Sequence, residues 1–164
     1  MFDIKVIKHQ DLTESDVREV IDLKSKQWDF NFEKQLQWIK DNIKKSDLHM
    51  FLLLDNESVA YLNLIDIDLI VDDIPMKGLG VGNVCAIKKG KGFGFELMKE
   101  ANKVITQSDK IGLLFCKEPL LKYYSFLNWT ELSQAEYKIN CGNSKVMIFN
   151  AKKNLFLKYD GIIF

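Results

Sequence analysis

At 164 residues the chain has the length of one domain, residues 1–164, and its 23 basic and 23 acidic side chains cancel to a formal net charge of zero. That balance excludes a protein built to coat nucleic acid, which needs an overall basic footprint, and an apolar content of 47% excludes wholesale disorder. No apolar run approaches the ~18–20 residues of a membrane span and no signal-peptide profile opens the chain, so the sequence predicts a cytoplasmic protein without a membrane partner.

Residues 2–7 alternate, with Phe2, Ile4 and Val6 on one face, which predicts a half-buried strand. Thr13 with Asp16 three residues on marks a helix start, and Val17, Val20 and Ile21 carry the stripe towards Trp28. Asn31 opens a second helix, with Phe32, Leu36, Ile39 and Ile43 at helical spacing. Strands follow at 50–54, 59–71 and 76–87, with turns at Asp55-Asn56 and at 72–75. The third contains Gly78, Gly80 and Gly82, which point to bulges or close backbone approach. A helix over 95–106, a strand over 111–116 and a short helix over 120–127 complete the middle of the chain. Two strands, near 136–139 and 146–151, flank a hairpin turn at Asn140-Cys141-Gly142-Asn143, and the apolar tail 155–164 packs down as a last strand. The order β-α-α-β-β-β-α-β-α-β-β predicts one α/β domain with a mixed central sheet.

The chemistry concentrates between the third long strand and the helix after it. There the chain reads Lys88-Lys89-Gly90-Lys91-Gly92-Phe93-Gly94. Backbone amides in such a turn, with those at the helix start, favour an anion, and glycine lets a pyrophosphate approach the main chain. The P-loop pattern fails, because Phe93 and Gly94 stand where Lys-Ser/Thr would be needed. The dinucleotide pattern fails too, because Phe95 and Asn83 stand where each candidate would need its third glycine.

Lys89-Gly90-Lys91-Gly92-Phe93-Gly94 instead resembles the acetyl-CoA motif of the GNAT superfamily of N-acetyltransferases, [Arg/Gln]-x-x-Gly-x-[Gly/Ala], with lysine in the first place. Val81–Ala86 resembles the family's strand before that turn, and Leu113–Cys116 the strand after its helix. Tyr123-Tyr124-Ser125-Phe126-Leu127-Asn128-Trp129 is similar to the family's aromatic-Tyr-x-x-x-Gly-[Phe/Trp] signature, with Asn128 for glycine. The Gly-Val-Gly-Asn-Val-Cys and Leu-Leu-Phe-Cys runs look most like a bacterial subgroup that includes aminoglycoside 2'-N-acetyltransferase-like proteins.

The resemblance implies a GNAT-like fold and direct acetyl transfer from acetyl-CoA, as co-substrate, to a small-molecule or peptide amine. It implies that the main chain of Val84, Cys85 and Ala86 holds the pantetheine arm. It implies that Lys89, Gly90, Lys91, Gly92, Phe93 and Gly94 cradle the pyrophosphate, and that Tyr124 donates a proton or hydrogen bond to the departing thiolate. Asp66 and Asp68, two apart on one strand face, are candidate acceptor-binding carboxylates. No general base is assigned.

Three scattered cysteines and two histidines, His9 and His49, predict reduced thiols and no metal site. Cys85 and Cys116 read as buried, inert thiols in apolar strands. Trp28, Phe30, Phe32 and Trp38 read as core at helical spacing, with the lining of an acceptor pocket as the other reading. Residues 1–86 carry 10 Lys/Arg against 16 Asp/Glu and residues 87–164 carry 13 against 7, a division that predicts an anionic donor on one side and a cationic acceptor on the other. The sequence is equally compatible with a monomer or a homodimer. The competing function is a CoA-binding module that senses or assembles without catalysis.

Overall fold

The computed structural model describes residues 1–164. Its contacts sort the chain into two compact units, each built from two separated stretches. The first unit is Met1–Ile65 with Asn83–Ala101, and the second is Asp66–Gly82 with Asn102–Phe164.

The first unit starts with β1 (Phe2–Lys8), then α1 (Glu14–Ser25), α2 (Phe32–Asn42) and β2 (Leu48–Leu54). It takes residues 57–65 of β3 (Glu57–Val71), the end of β4 (Ile74–Ala86), and the first nine residues of α3 (Phe93–Gln107). β1 and β2 pair antiparallel from Phe2↔Leu54 to Lys8↔Leu48, and β2 pairs with β3 around a register shift between Leu52 and Leu53. The turn joining β2 to β3 holds Asp55 at φ 52 and Asn56 at φ 66, the positive pair that a type I′ hairpin requires and that Asn and Asp tolerate. α1 begins where the sequence predicts: Thr13 Oγ1 accepts from Asp16 N at 3.1 Å, and Asp16 Oδ2 accepts from Thr13 N at 2.8 Å. Asn31 Oδ1 caps α2 by accepting from Lys34 N at 2.9 Å. Met50, Phe51, Tyr61, Leu62, Leu64, Leu97 and Met98 fill the core. The β1 face of Phe2 and Val6 is more open than its alternation predicts, with both side chains over 40% exposed.

The second unit takes residues 66–71 of β3, residues 74–82 of β4 and residues 102–107 of α3. It adds β5 (Ile111–Cys116), α4 (Leu121–Ser125), β6 (Thr130–Leu132), β7 (Tyr137–Lys138), β8 (Lys145–Phe149) and β9 (Leu157–Lys158). β4 and β5 run parallel, from Gly78↔Ile111 to Gly80↔Leu113. β5 pairs antiparallel with β8, and β8 with β6, so the sheet is mixed. The strand glycines admit large side chains: a Cβ on Gly80 would sit 2.2 Å from the Phe164 ring, and one on Gly112 2.7 Å from the Trp129 ring.

Several details differ from the sequence expectation: the tail is a strand only at Leu157–Lys158, and α4 ends at Ser125. β6 is a strand of three residues that periodicity does not reveal. β7 and β8 do not form a hairpin across Asn140–Asn143; β7 pairs parallel with β9, through Tyr137↔Leu157, and β9 lies antiparallel on the end of β3. No helix is long and apolar enough to cross a membrane.

Candidate functional site

In the first unit β4 ends on a deliberate irregularity. Asn83 adopts φ 54, a left-handed conformation that asparagine accepts more readily than a branched residue, and its Nδ2 donates to Asn63 Oδ1 at 2.7 Å. Val84 and Ala86 are half-buried, and Cys85 is buried, with the Tyr61 backbone N–H hydrogen-bonded to its sulfur. Ile87 N donates to Val59 O at 3.0 Å, which holds the last residue before the turn.

The turn itself is left-handed twice, at Gly90 (φ 74) and Gly92 (φ 76). No atom lies within 4 Å of a Cβ built on either, so what these positions demand of glycine is its backbone freedom and not its small size. Lys88, Lys89 and Lys91 are exposed around it. α3 begins at Phe93, and its first intrahelical bond runs from Glu96 N to Gly92 O at 3.0 Å. The amides of Phe93 and Gly94 thus stand at a helix start, where main-chain donors and the helix dipole favour negative charge. Two left-handed glycines, three lysines and a helix start are a fitting cradle for a pyrophosphate.

Tyr124 belongs to the second unit. It is 7% exposed, and its ring meets Tyr123 edge-on with centroids 4.9 Å apart. Burial, with smaller contributions from Tyr123 and Cys116, raises its phenol well above the ordinary value near 10. No hydrogen bond ties its hydroxyl within the protein. Leu127, three residues on, is buried, whereas Leu120, one turn back, is exposed. Asn128 takes φ 64, the conformation for which glycine is the usual choice, and Trp129 N then donates to Tyr124 O at 3.2 Å. Asn102 on α3 fixes this corner: its Nδ2 donates to Leu127 O and its Oδ1 accepts from Trp129 Nε1, both at 2.9 Å.

The two carboxylates singled out as acceptor ligands are also in the second unit, and each already meets a lysine. Lys110 Nζ donates to Asp66, and Lys77 Nζ donates to Asp68. The thiols are protonated at neutral pH, because burial pushes Cys85 up to about 12 and Cys116 up to about 11. Neither is a nucleophile poised for covalent acyl transfer. No group of three or more His, Cys, Asp or Glu is placed to hold a metal ion.

Sequence reasoning missed a polar chamber in the first unit. His49 is fully buried; one ring nitrogen lies 2.7 Å from the Tyr61 hydroxyl and the other 3.1 Å from His9 Nδ1. Burial, with the nearby charges of His9 and Lys24, lowers His49 to about 4, so the ring is neutral. Lys24 and Gln35 are buried too, against a small cavity beside Trp28, Phe30 and Trp38. The aromatic spacing pointed towards this place, but Phe32 lies elsewhere, its ring 6.0 Å from the Arg18 guanidinium. Nothing in the sequence distinguishes Lys24 from the solvated lysines around it.

No family model matches the sequence, and no curated protein aligns with it. Solved structures do resemble it. ElaA of Escherichia coli superposes with a TM-score of 0.65 at 19% identity, over 90% of this chain and 99% of that one. An acyl-CoA N-acyltransferase from Pseudomonas aeruginosa superposes at 0.66 with 18% identity, over 90% and 99%. The catalytic domain of the Tetrahymena GCN5 histone acetyltransferase, solved in complex with coenzyme A, superposes at 0.63 with 14% identity, over 93% and 95%. At these identities the likeness is one of fold.

Proposed function

We propose that this chain, which has the GNAT acyl-CoA N-acyltransferase fold, is an N-acetyltransferase that uses acetyl-CoA to acetylate a primary amine. The observation that carries this reading is the turn after β4, with its two left-handed glycines, three lysines and helix start. Bound acetyl-CoA would supply an activated acetyl thioester. The amides from Gly90 to Gly94 hold the pyrophosphate, with Lys88, Lys89 and Lys91 adding positive charge. The main chain of Val84, Cys85 and Ala86 lies past the last β4 residue paired with β5, Gly80, which supports its use for the pantetheine arm. A main-chain N–H there offsets the negative charge that develops on the thioester oxygen, an effect worth about 3 kcal/mol per donor.

The amine nitrogen forms its bond to the acetyl carbon as the carbon–sulfur bond breaks, the electron pair leaves on sulfur, and the proton lost by the amine passes to solvent water, which returns one to the thiolate. The resemblance of 123–129 to the family signature is what assigns to Tyr124 a hydroxyl offered to the departing sulfur. With its phenol raised well above 10, it serves better as a hydrogen-bond donor to the thiolate than as a full proton donor. The rival reading is a non-catalytic CoA-binding module, and the departures from the motif that favour it are Lys89 and Asn128. Asn128 holds the left-handed conformation that glycine would supply, which removes half of that ground.

Thiol release from acetyl-CoA across a panel of primary amines tests the activity. Tyr124→Phe is expected to lower kcat by about 10–100-fold with the affinity for CoA unchanged. Unchanged turnover overturns the role of Tyr124. Absence of any thermal shift with acetyl-CoA overturns the whole reading.

A further inference from the structure

The first unit contains a cavity of about 300 Å³ in which one buried cation has no counter-ion and one buried acceptor has no donor. Its apolar walls are Trp28 and Phe30, from the connection between α1 and α2, and Trp38 of α2. Its polar groups are Lys24, Lys34, Gln35 and Asn83, and no acidic residue lines it. That volume lies at the lower end for small-ligand pockets and suits one amino-acid-sized group.

Lys24 is the unusual member. Only 6% of it is exposed, no carboxylate pairs with it, and its ammonium lies 4.5 Å from the centroid of the Trp38 ring. A buried ammonium without a counter-ion is costly, and a ring face offsets part of that cost only. A ligand carboxylate would supply what the fold leaves out.

Gln35 carries the complementary signal. It is 3% exposed, and its Nε2 donates to Ser25 Oγ at 2.9 Å and to Phe30 O at 3.0 Å. The Phe30 carbonyl can only accept, so it fixes which way the amide points. Oε1 is left buried without a donor. A cation lacking an anion and an acceptor lacking an N–H thus line one small aromatic cavity.

We infer that this cavity binds the amine acceptor as an apolar or aromatic amino acid, free or at a peptide C-terminus, with its carboxylate on Lys24 and an N–H on Gln35 Oε1. The inference rests on the acetyltransferase reading for the word acceptor, though not for the binding. It replaces the cationic acceptor expected from Asp66 and Asp68, whose carboxylates already hold lysines. An aminoglycoside, with several cations and no carboxylate, does not match these groups.

The test is calorimetric titration, without acetyl-CoA, of phenylalanine, phenylalaninamide, phenethylamine and glycyl-phenylalanine. Thiol release with the same four compounds and acetyl-CoA follows. Phenylalanine or the dipeptide is expected to bind at least tenfold tighter than the amide and the amine, and the tighter of the two identifies the source of the carboxylate. Lys24→Met, which keeps an unbranched apolar stem, should erase that preference while melting at or above the wild-type temperature. Gln35→Ala should weaken phenylalanine severalfold. Equal or absent binding, a preference for phenethylamine, or discrimination that survives Lys24→Met overturns the inference. Carboxylate-selective binding with no thiol release from any amine upholds the cavity and sinks the acetyltransferase reading. Rapid acetylation of phenethylamine alone upholds the enzyme and sinks the cavity assignment.

Discussion

Two ionisable side chains of the first unit make opposite contributions to stability. Burial alone would raise the Asp16 carboxyl, but donors from Lys5 Nζ at 2.7 Å, the Thr13 hydroxyl at 2.6 Å and the Thr13 amide at 2.8 Å outweigh it and hold it at about 2, below the ordinary 3.8. A lowered acid stabilises the fold above its unfolded pKa and loses that contribution as pH falls through its folded one. Asp16→Asn should therefore cost about 1 kcal/mol near neutral pH, and the gap from wild type should close between pH 4 and 2 in urea unfolding curves. Lys24 behaves in the reverse sense, because burial lowers it from 10.5 to about 8. Between those values the unfolded chain holds the proton and the folded chain has released it, so rising pH relieves the penalty. Lys24→Met should stabilise the fold most below pH 8, and the advantage should shrink towards pH 10.5 in thermal melts. Asp16 was legible because capping follows local spacing, Thr13 to Asp16. Lys24 was not, because burial depends on what α2 and β4 bring to it from far along the chain.

At the scale of elements, glycines that look alike in sequence do different work. Gly90 and Gly92 have open space around them and a left-handed backbone, so Gly92→Ala meets only conformational strain, about 1–2 kcal/mol. That substitution should weaken CoA binding more than it lowers the melting temperature, as titration beside thermal melts would show. Gly80 lies in a strand with the Phe164 ring against it, so Gly80→Ala must displace that ring, at a cost of about 1–3 kcal/mol in thermal or chemical unfolding. Periodicity and caps were enough to read α1, α2, α3 and β5. They could not read β6, which is three residues long, nor the pairing of β7 with β9, because a partner 20 residues away leaves no local pattern.

For the whole molecule, the charge division of the sequence does not survive folding. The first unit carries 13 basic and 14 acidic side chains and the second 10 and 9, because the lysine-rich stretch 83–101 joins the first and the acidic stretch 66–82 joins the second. What remains is local: three lysines at one turn. Replacing Lys88, Lys89 and Lys91 with glutamine should weaken CoA binding about tenfold at low salt, with the difference fading as salt screens it. An affinity for CoA that is unchanged at every salt concentration would show that these charges do not contact the ligand. The same exchange of segments bears on synthesis. Because Asn83–Ala101 completes the unit that Met1 begins, a nascent chain cannot close that unit until residue 101 has left the ribosome. Chains arrested at residue 65 should stay protease-sensitive, and those extended through 101 should gain protection, so the start of the protein waits on its middle.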